Sequence, residues 1–324
     1  MNGTSAAVKK KGHLQTGIRM KGWLFILPSV ILIGVMAFWP MISALVLSLQ
    51  TGAGNSYSFN GYATIGELFA DSGFAQGLTK LFSNYINLFT SDIKFRQALI
   101  NTAIYFVFQI PIMLFLALIL AWLLNDKKLK LKGLYRTLIF LPCATSLVTC
   151  SIIFKRLFAS SEAGLVNNLL LRFNLISEPV GWLVETNTAR VIIIITMLWR
   201  WTGYNMIFYL AGLQNIDGTI YEAARIDGAS PVKQFTKITI PLLRPVILLT
   251  TILSTNGTLQ LFDEVRTMTN GGPGDATMTL STYIYSITFA GASRFGLASA
   301  ISYCILIIVA VLSFLQLKVG DSKQ

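Results

Sequence analysis

Hydrophobic positions in this chain form long runs that are separated by shorter polar segments. Six runs have the length of a membrane span: Trp23–Leu49, Ile100–Leu124, Thr137–Phe158, Ala189–Leu213, Ile240–Phe262 and Phe295–Leu317. About 20 apolar residues, rising about 1.5 Å each, cross the hydrocarbon core of a bilayer, which is about 30 Å thick. The Thr137–Phe158 run is more polar than the others but long enough. The pattern predicts an all-α polytopic membrane protein with six transmembrane helices.

The polar segments divide the rest of the chain. Residues 1–21 form a basic tail, residues 22–318 a transmembrane domain, and residues 319–324 a second tail. The connection at residues 50–99 carries Gly, Ser and Asn early and amphipathic runs later, which predicts short surface helices. The connection at residues 214–240, between the fourth and fifth runs, is polar and tightly punctuated.

This polar connection predicts a short helix, a sharp corner and a second helix. Thr219 followed by Glu222 has the spacing of a capping box, so we expect a helix that starts at Thr219. Gly228 can adopt a left-handed conformation and end that helix after about two turns. Ser230 followed by Pro231 indicates a second helix start. A polar projection of this kind on a membrane protein suggests a docking site for a partner in the water.

Composition and charge agree with a membrane protein. The chain of 324 residues is 54% hydrophobic and 12% charged, whereas a soluble domain carries about 25% charged residues. The net charge of +12 could indicate a nucleic-acid partner, but the basic residues cluster in alternate connections: Lys9–Lys21, Lys127–Arg136, Arg225–Arg244 and Lys318–Lys323. This is the positive-inside pattern, which predicts cytoplasmic termini and argues against nucleic acid.

Several kinds of chemistry find no support in the sequence. Cys143, Cys150 and Cys304 lie within predicted spans, where thiols act as small apolar fillers, and His13 is the only histidine. We therefore expect no metal site and no catalytic residue. The sequence also has no GxxxxGK[ST] phosphate loop, so we expect no ATP site or other cofactor on this chain.

The fourth span carries candidate residues for a polar path through the membrane. Arg200 lies near its middle, where an arginine costs at least about 2.5–3.5 kcal/mol and usually faces a wet cavity or a partner. Trp201, Tyr204 and Asn205 follow, and aromatic faces with amides suit the stacking and hydroxyl contacts of a sugar. Two interpretations stay open: these residues line a substrate path, or Arg200 holds backbone carbonyls of a neighbouring helix while the aromatic residues fill space.

The fifth span carries a second candidate surface. Ser254, Gly257 and Thr258 lie three to four residues apart and so share one helix face. This face fits a substrate path and fits helix–helix packing equally well, because small residues are common where membrane helices touch.

The polar connection resembles the EAA loop of ATP-binding-cassette importer permeases. Glu222-Ala223-Ala224, Gly228 six positions after the glutamate, Ile238 and Ile240-Pro241 match that loop, with Ile240 in place of the usual leucine. Leu27-Pro28-Ser29 and the Asn270–Gly274 stretch are similar to the maltose and multiple-sugar branch, and the resemblance covers residues 22–318. The resemblance implies a type I importer permease fold, with a cytoplasmic coupling helix between helices 4 and 5.

The resemblance also implies residue roles. Contact with the ATPase is expected at Glu222, Ala223, Ala224, Arg225, Asp227, Gly228, Ile238 and Pro241. In such permeases the helices before and after this loop hold the sugar, so the expected substrate path comprises Arg200, Trp201, Tyr204, Asn205, Ser254, Gly257 and Thr258.

The function implied is that of a permease subunit in an ATP-driven sugar or oligosaccharide importer of the bacterial cytoplasmic membrane. Its expected partners are a second permease subunit in a heterodimer, two ATPase subunits that carry ATP and Mg, an extracellular or periplasmic sugar-binding protein, and membrane lipid. Arg200 keeps glycerol phosphate or an acidic sugar open as the cargo. A secondary transporter is disfavoured, because the 14 acidic residues fall in loops or at span ends. A membrane-embedded enzyme would need a cluster of titratable groups, which we do not find.

Overall fold

The computed structural model describes residues 22–126 and 128–321. The predicted tail at residues 1–21 lies outside this part of the chain, as do residues 322–324 of the second predicted tail. Within it, five helices are long and apolar enough to cross a membrane: Gly22–Ser48, Ile93–Leu124, Thr186–Gln214, Arg244–Met268 and Phe295–Gly320. These helices confirm five of the predicted spans. Most of their ends agree with the predicted ends to within a few residues.

The third predicted span is not one continuous helix. Lys132–Ala144 (α5) and Leu147–Leu157 (α6) meet at an angle of 97°. Pro142, near the end of α5, has no N–H to donate, and Thr145 and Ser146 both have extended backbones. The described chain therefore has six spans only if this bent pair counts as one of them.

The remaining elements are short. In chain order, the elements are α1 (Gly22–Ser48, with a π-helical stretch at Gly34–Phe38), β1 (Thr51–Ala53), β2 (Ser56–Ser58), α2 (Ile65–Leu81), α3 (Ser83–Thr90), α4 (Ile93–Leu124), α5, α6, α7 (Leu165–Arg172), α8 (Thr186–Gln214), α9 (Gly218–Ile226), α10 (Pro231–Gln234), a π-helical stretch (Phe235–Thr239), α11 (Ile240–Leu242), α12 (Arg244–Leu259), α13 (Asp263–Met268), α14 (Leu280–Phe289) and α15 (Phe295–Asp321).

The described chain divides into two compact units. The first contains the described residues up to Asn84 together with Arg294–Ala300. In it, β1 and β2 form an antiparallel hairpin, and Phe59, Leu68 and Leu81 form a small apolar core. Helices α2 and α3 confirm the predicted surface helices of the 50–99 connection, whereas the hairpin was not predicted.

The second unit, Tyr85–Ser293 with the chain from Ile301 onward, is built around α4 and α8. One apolar cluster includes Tyr105, Ile193 and Met197, and a second includes Ala121 and Tyr209. Helix α5 also packs closely on α8, because Gly203 brings the two backbones together. A Cβ atom at Gly203 would lie 2.0 Å from the carbonyl oxygen of Ile139.

Candidate functional site

The second unit contains a cavity of about 320 Å³ between α4, α6, α8, α12 and the segment that leads into α13. Its lining comprises Gln109, Met113, Leu147, Met197, Trp201, Tyr204, Asn205, Leu253, Ser254, Gly257, Thr258, Gln260, Leu261, Phe262, Asp263 and Glu264. Apolar, aromatic, uncharged polar and acidic side chains therefore meet around one space inside the helical unit.

The structure brings six of the seven predicted substrate-path residues to this cavity. They are Trp201, Tyr204, Asn205, Ser254, Gly257 and Thr258. They converge because α8 and α12 pack together in this unit, although the two groups lie about fifty residues apart in the sequence. Whether they contact a substrate stays a prediction.

Arg200 is the exception, because it does not belong to the cavity lining. Its guanidinium group donates to the carbonyl oxygens of Pro142 at 3.0 Å, Thr145 at 2.7 Å and Cys143 at 3.3 Å. It also donates to the Thr145 hydroxyl at 3.2 Å. All three carbonyls belong to the break between α5 and α6, where the regular helix hydrogen bonds end. The Pro142 carbonyl also accepts from the Thr145 N–H at 3.3 Å and from the Thr145 hydroxyl at 2.7 Å. Arg200, which is 5% exposed, thus makes the contacts expected of a residue that holds a neighbouring backbone.

Two aromatic rings of α8 stand at the cavity in an edge-to-face arrangement. The ring centroids of Trp201 and Tyr204 are 5.8 Å apart and their planes meet at 84°. Tyr204 in turn packs against Phe208, with centroids 5.1 Å apart. The neighbouring Trp199 does not line the cavity and packs on Phe154 instead, at 5.3 Å. The two tryptophans that flank Arg200 therefore have different surroundings.

Helix α4 contributes polar groups that the sequence analysis missed. The Thr258 hydroxyl donates to Oε1 of Gln109 at 2.6 Å, and Nε2 of Gln109 donates to the sulfur of Met113 at 3.2 Å. Asn205 donates to the carbonyl oxygen of Trp201 at 3.0 Å. A signal for Gln109 exists in the sequence, since it is a long polar side chain within an apolar run and lies two residues before Pro111.

Two carboxyl groups also lie at the cavity, and the sequence analysis missed them. Asp263 is half-buried and Glu264 is 4% exposed. The sequence places both acids at the end of the fifth predicted span, where a carboxylate normally reaches water. They line the cavity because α13 packs against α6 and α8.

The polar connection forms a separate surface feature. Helix α9 begins at Gly218, because the Asp217 side chain accepts a hydrogen bond from the Thr219 N–H at 3.0 Å. The predicted helix start at Thr219, capped with the help of Glu222, was therefore wrong by one residue. The backbone N–H of Thr219, and after it the Thr219 side chain, lower the pKa of the exposed Asp217 carboxyl, because they stabilise its charged form.

The corner after α9 has the predicted form. Gly228 has φ of 73°, and the Ala229 N–H donates to the Ala224 carbonyl at 2.9 Å, which ends the helix. The Ser230 side chain then accepts from the Lys233 N–H at 3.3 Å and begins α10, with Pro231 as its first residue. Both features confirm the helix stop and the second helix start.

The predicted coupling residues are accessible on this surface. Glu222, Ala223, Arg225, Asp227, Gly228 and Pro241 are exposed, and Ala224 and Ile238 are half-buried. Ile226, on the same helix, is 87% exposed. A hydrogen bond of 3.0 Å between the hydroxyls of Tyr221 and Thr239 ties α9 to the helical segment that leads into α12.

Among the described residues, no group of three or more His, Cys, Asp or Glu side chains has a geometry suited to a metal ion. The cavity and the α9 surface are therefore the two candidate sites that emerge from the described part of the chain.

Comparison with known proteins gives consistent matches. Residues 93–319 match the family described as the binding-protein-dependent transport system inner membrane component. The chain is 49% identical to the lactose transport system permease protein LacF of Rhizobium radiobacter, over 98% of this chain and 100% of that protein. It is 32% identical to the arabinooligosaccharides transport system permease protein AraP of Bacillus subtilis, over 93% of this chain and 88% of that protein.

A solved structure shares the fold. A chain of a bacterial alginate ABC transporter, crystallised with an alginate pentasaccharide-bound periplasmic protein, aligns with a TM-score of 0.75 over 95% of this chain and 97% of its own length. The sequence identity is 23%, so this likeness concerns the fold.

Proposed function

Because the chain belongs to the family of binding-protein-dependent transport system inner membrane components, we propose that it is the permease subunit of an ATP-binding-cassette importer for sugars. Two relatives that the chain covers almost completely are sugar transport permeases by name. The greater identity to the lactose permease favours a neutral disaccharide of the lactose type as cargo.

The observation that carries the proposal is the composition of the cavity. Its volume of about 320 Å³ lies at the lower end of the range of small-molecule sites, which is about 300–1,000 Å³. Trp201 and Tyr204 offer aromatic faces on which a sugar ring can stack. Asn205, Ser254 and Thr258 offer groups that can exchange hydrogen bonds with hydroxyls.

We further propose that α9 couples the cavity to ATPase subunits. Ala223 is exposed, Ala224 is half-buried, and both have small side chains. Helix α9 can therefore approach a groove on a partner closely. A push on α9 would pass through the Tyr221–Thr239 hydrogen bond to α11 and then to α12, which carries Ser254 and Thr258. Such a path would link ATPase closure to a change in the cavity walls.

The finer partner assignments belong to the same proposal. A second permease subunit would complete the pathway, two ATPase subunits would carry ATP and Mg, and a sugar-binding protein would deliver the cargo from outside. The solved neighbour was crystallised with a periplasmic protein of that kind. Both termini would then lie in the cytoplasm, as the distribution of basic residues predicts.

Arg200 was the reason to consider glycerol phosphate or an acidic sugar as the cargo. The contacts that Arg200 makes weaken that alternative. Its guanidinium group donates to three backbone carbonyls at the α5–α6 break, lies 5.2 Å from the centre of the Trp201 ring and does not line the cavity. A neutral sugar is therefore the cargo that the described residues favour.

A pair of tryptophan variants tests this proposal. Cells that express the complete transporter with Trp201→Ala should take up lactose with at least about a tenfold lower rate at limiting sugar, because the stacking surface is lost; about 1.4 kcal/mol corresponds to a factor of ten. Trp199→Ala is the matched control, since Trp199 packs on Phe154 away from the cavity. Equal uptake kinetics in both variants, at equal amounts in the membrane, would contradict the assignment of the cavity.

A further inference from the structure

The cavity has an electrostatic character that the family membership does not specify. Its charged lining residues are Asp263 and Glu264, and no basic residue of the described chain lines it. Both are acids, and they lie next to each other where the segment after α12 enters α13. The lining therefore combines two carboxyl groups with neutral polar and aromatic side chains.

The nearby basic side chains are engaged elsewhere. Arg200 donates to the carbonyls of the α5–α6 break, and its guanidinium group lies 5.2 Å from the centre of the Trp201 ring. Lys155 donates to the Thr267 carbonyl at 3.1 Å, and the Arg266 guanidinium lies 4.7 Å from the centre of the Tyr285 ring. Arg190 donates to the Ala276 carbonyl at 2.9 Å and to Asn101 at 2.7 Å.

We propose that Asp263 and Glu264 are specificity-determining residues, which make the cavity accept neutral sugars and exclude anionic ones. This inference rests on the proposed function, because it assumes that the cavity holds sugar. It deepens that function, since the fold is shared by a transporter of an acidic polysaccharide and so does not itself decide the charge of the cargo.

The chemistry follows from what each sugar can offer. A neutral sugar carries hydroxyl donors, and carboxylate oxygens are strong acceptors for them. An anionic sugar brings a carboxylate that would face two acids without a basic partner in the lining. Like charges repel more strongly in a partly dry cavity than in water, because the effective dielectric constant is lower.

The two acids differ in their exposure. Glu264 is almost fully buried, whereas Asp263 is half-buried at the cavity and can contact a sugar directly.

A purely structural role for the two acids is the competing explanation. Asp263 and Glu264 lie in the first turn of α13, where negative charge is favourable at a helix N-terminus. Loss of a helix-capping charge would reduce stability without changing the choice between two sugars. The discriminating measurement is therefore a ratio of affinities rather than an affinity.

The experiment compares lactose with lactobionate, in which the reducing-end sugar is oxidised to a carboxylate. Binding of each sugar is measured by equilibrium dialysis on the purified complete transporter in nanodiscs, without the binding protein, so that only the membrane cavity selects. We expect the wild-type protein to prefer lactose at least about tenfold. Asp263→Asn and Glu264→Gln should each reduce that preference about threefold or more. Asp263→Glu, which keeps the charge, should keep the wild-type preference.

Asp275→Asn is the matched control. It removes one acid outside the cavity, at a position with φ of 64° that asparagine tolerates well. It should leave the preference for lactose unchanged.

The possible outcomes separate this inference from the proposed function. Equal affinity of the wild-type protein for both sugars, or an unchanged ratio in both acid variants, would overturn the inference while lactose uptake in cells still supports an importer. Equal losses of affinity for both sugars would assign the acids a structural role and would also overturn it. If neither sugar binds while cells still take up lactose, the cavity does not itself select between the sugars and the inference fails alone. If cells take up no sugar either, both the proposed function and this inference fail.

Discussion

The contact between α8 and α5 at Gly203 should not tolerate even one added methyl group. A Cβ atom at this position would lie 2.0 Å from the Ile139 carbonyl oxygen, 2.7 Å from its carbon and 3.1 Å from the Cα atom of Phe140. Ordinary contacts between such atoms begin at 3.4 Å. All three atoms belong to the backbone, so no side-chain rotation can relieve the overlap.

The magnitude follows from this geometry. The two helices would have to separate by roughly 1 Å or more, which disturbs the packing along α8. Overpacked sites cost about 1–3 kcal/mol, and backbone contact places Gly203→Ala at the upper end, at about 3 kcal/mol. The gain from replacing glycine by alanine inside a helix, about 1 kcal/mol, offsets only part of this cost.

Two other glycines provide graded controls. At Gly212, an added Cβ atom would meet the flexible Leu243 side chain at 2.7 Å, and at Gly257 it would meet nothing within 4 Å. We expect Gly212→Ala to lie between the other two variants in stability, because the Leu243 and Val246 side chains that the methyl group meets can shift, but Leu243 is 1% exposed and must repack. Gly257→Ala should be stabilised by about 1 kcal/mol through its helix propensity.

Thermal unfolding of the purified protein in detergent, followed by size-exclusion chromatography after heating, measures the series. One kcal/mol corresponds to about 2–4 °C for a domain of this order of size. Gly203→Ala should therefore unfold several degrees below the wild-type protein. Gly212→Ala should unfold closer to the wild-type temperature, and Gly257→Ala slightly above it. A Gly203→Ala protein as stable as Gly257→Ala would refute the close approach of α5 and α8.

Three further predictions concern the break, the cavity wall and the surface corner. Arg200→Met should destabilise the protein by about 1–3 kcal/mol for each carbonyl that loses its donor, namely those of Cys143 and Thr145, whereas the Pro142 carbonyl keeps the Thr145 N–H and hydroxyl. Thermal unfolding measures this, and a Tm equal to that of wild type would contradict it. Thr258→Val should cost about 1–3 kcal/mol by leaving Oε1 of Gln109 without its donor, whereas Thr258→Ser should unfold close to wild type. Gly228→Val should abolish sugar uptake at normal membrane levels, because valine disfavours φ of 73°. The control is Gly218→Ala, at ordinary φ and in open space, which should retain uptake. Normal uptake in Gly228→Val would count against the coupling role.

Local features were predictable from the sequence. Apolar length alone located the spans, because a membrane helix must satisfy its own backbone and cross a fixed thickness of hydrocarbon. The stop at Gly228 and the start at Ser230 were predictable because helix ends depend on residues a few positions apart. The start of α9 was missed by one residue, because the Asp217 side chain caps the helix by accepting from the Thr219 N–H, which leaves Thr219 inside the helix.

Periodicity also identified most of the cavity. Trp201, Tyr204 and Asn205 on one helix, and Ser254, Gly257 and Thr258 on another, share faces that the helical repeat fixes. The resemblance to known permeases then placed these two faces on the same path. Their contact with sugar, and the contact of α9 with an ATPase, remain predictions for the experiments above.

The tertiary structure decided what depends on partners far away in the chain. Arg200 could have faced a cavity or a carbonyl, and the choice was set by the break at Thr145, more than fifty residues earlier. Gln109 and Glu264 became part of the cavity only because α4 and α13 pack beside α8. A sequence pattern records which face of a helix is polar, since that depends on spacing alone. It does not record which neighbour that face meets, because packing energy depends on the shapes of both surfaces together.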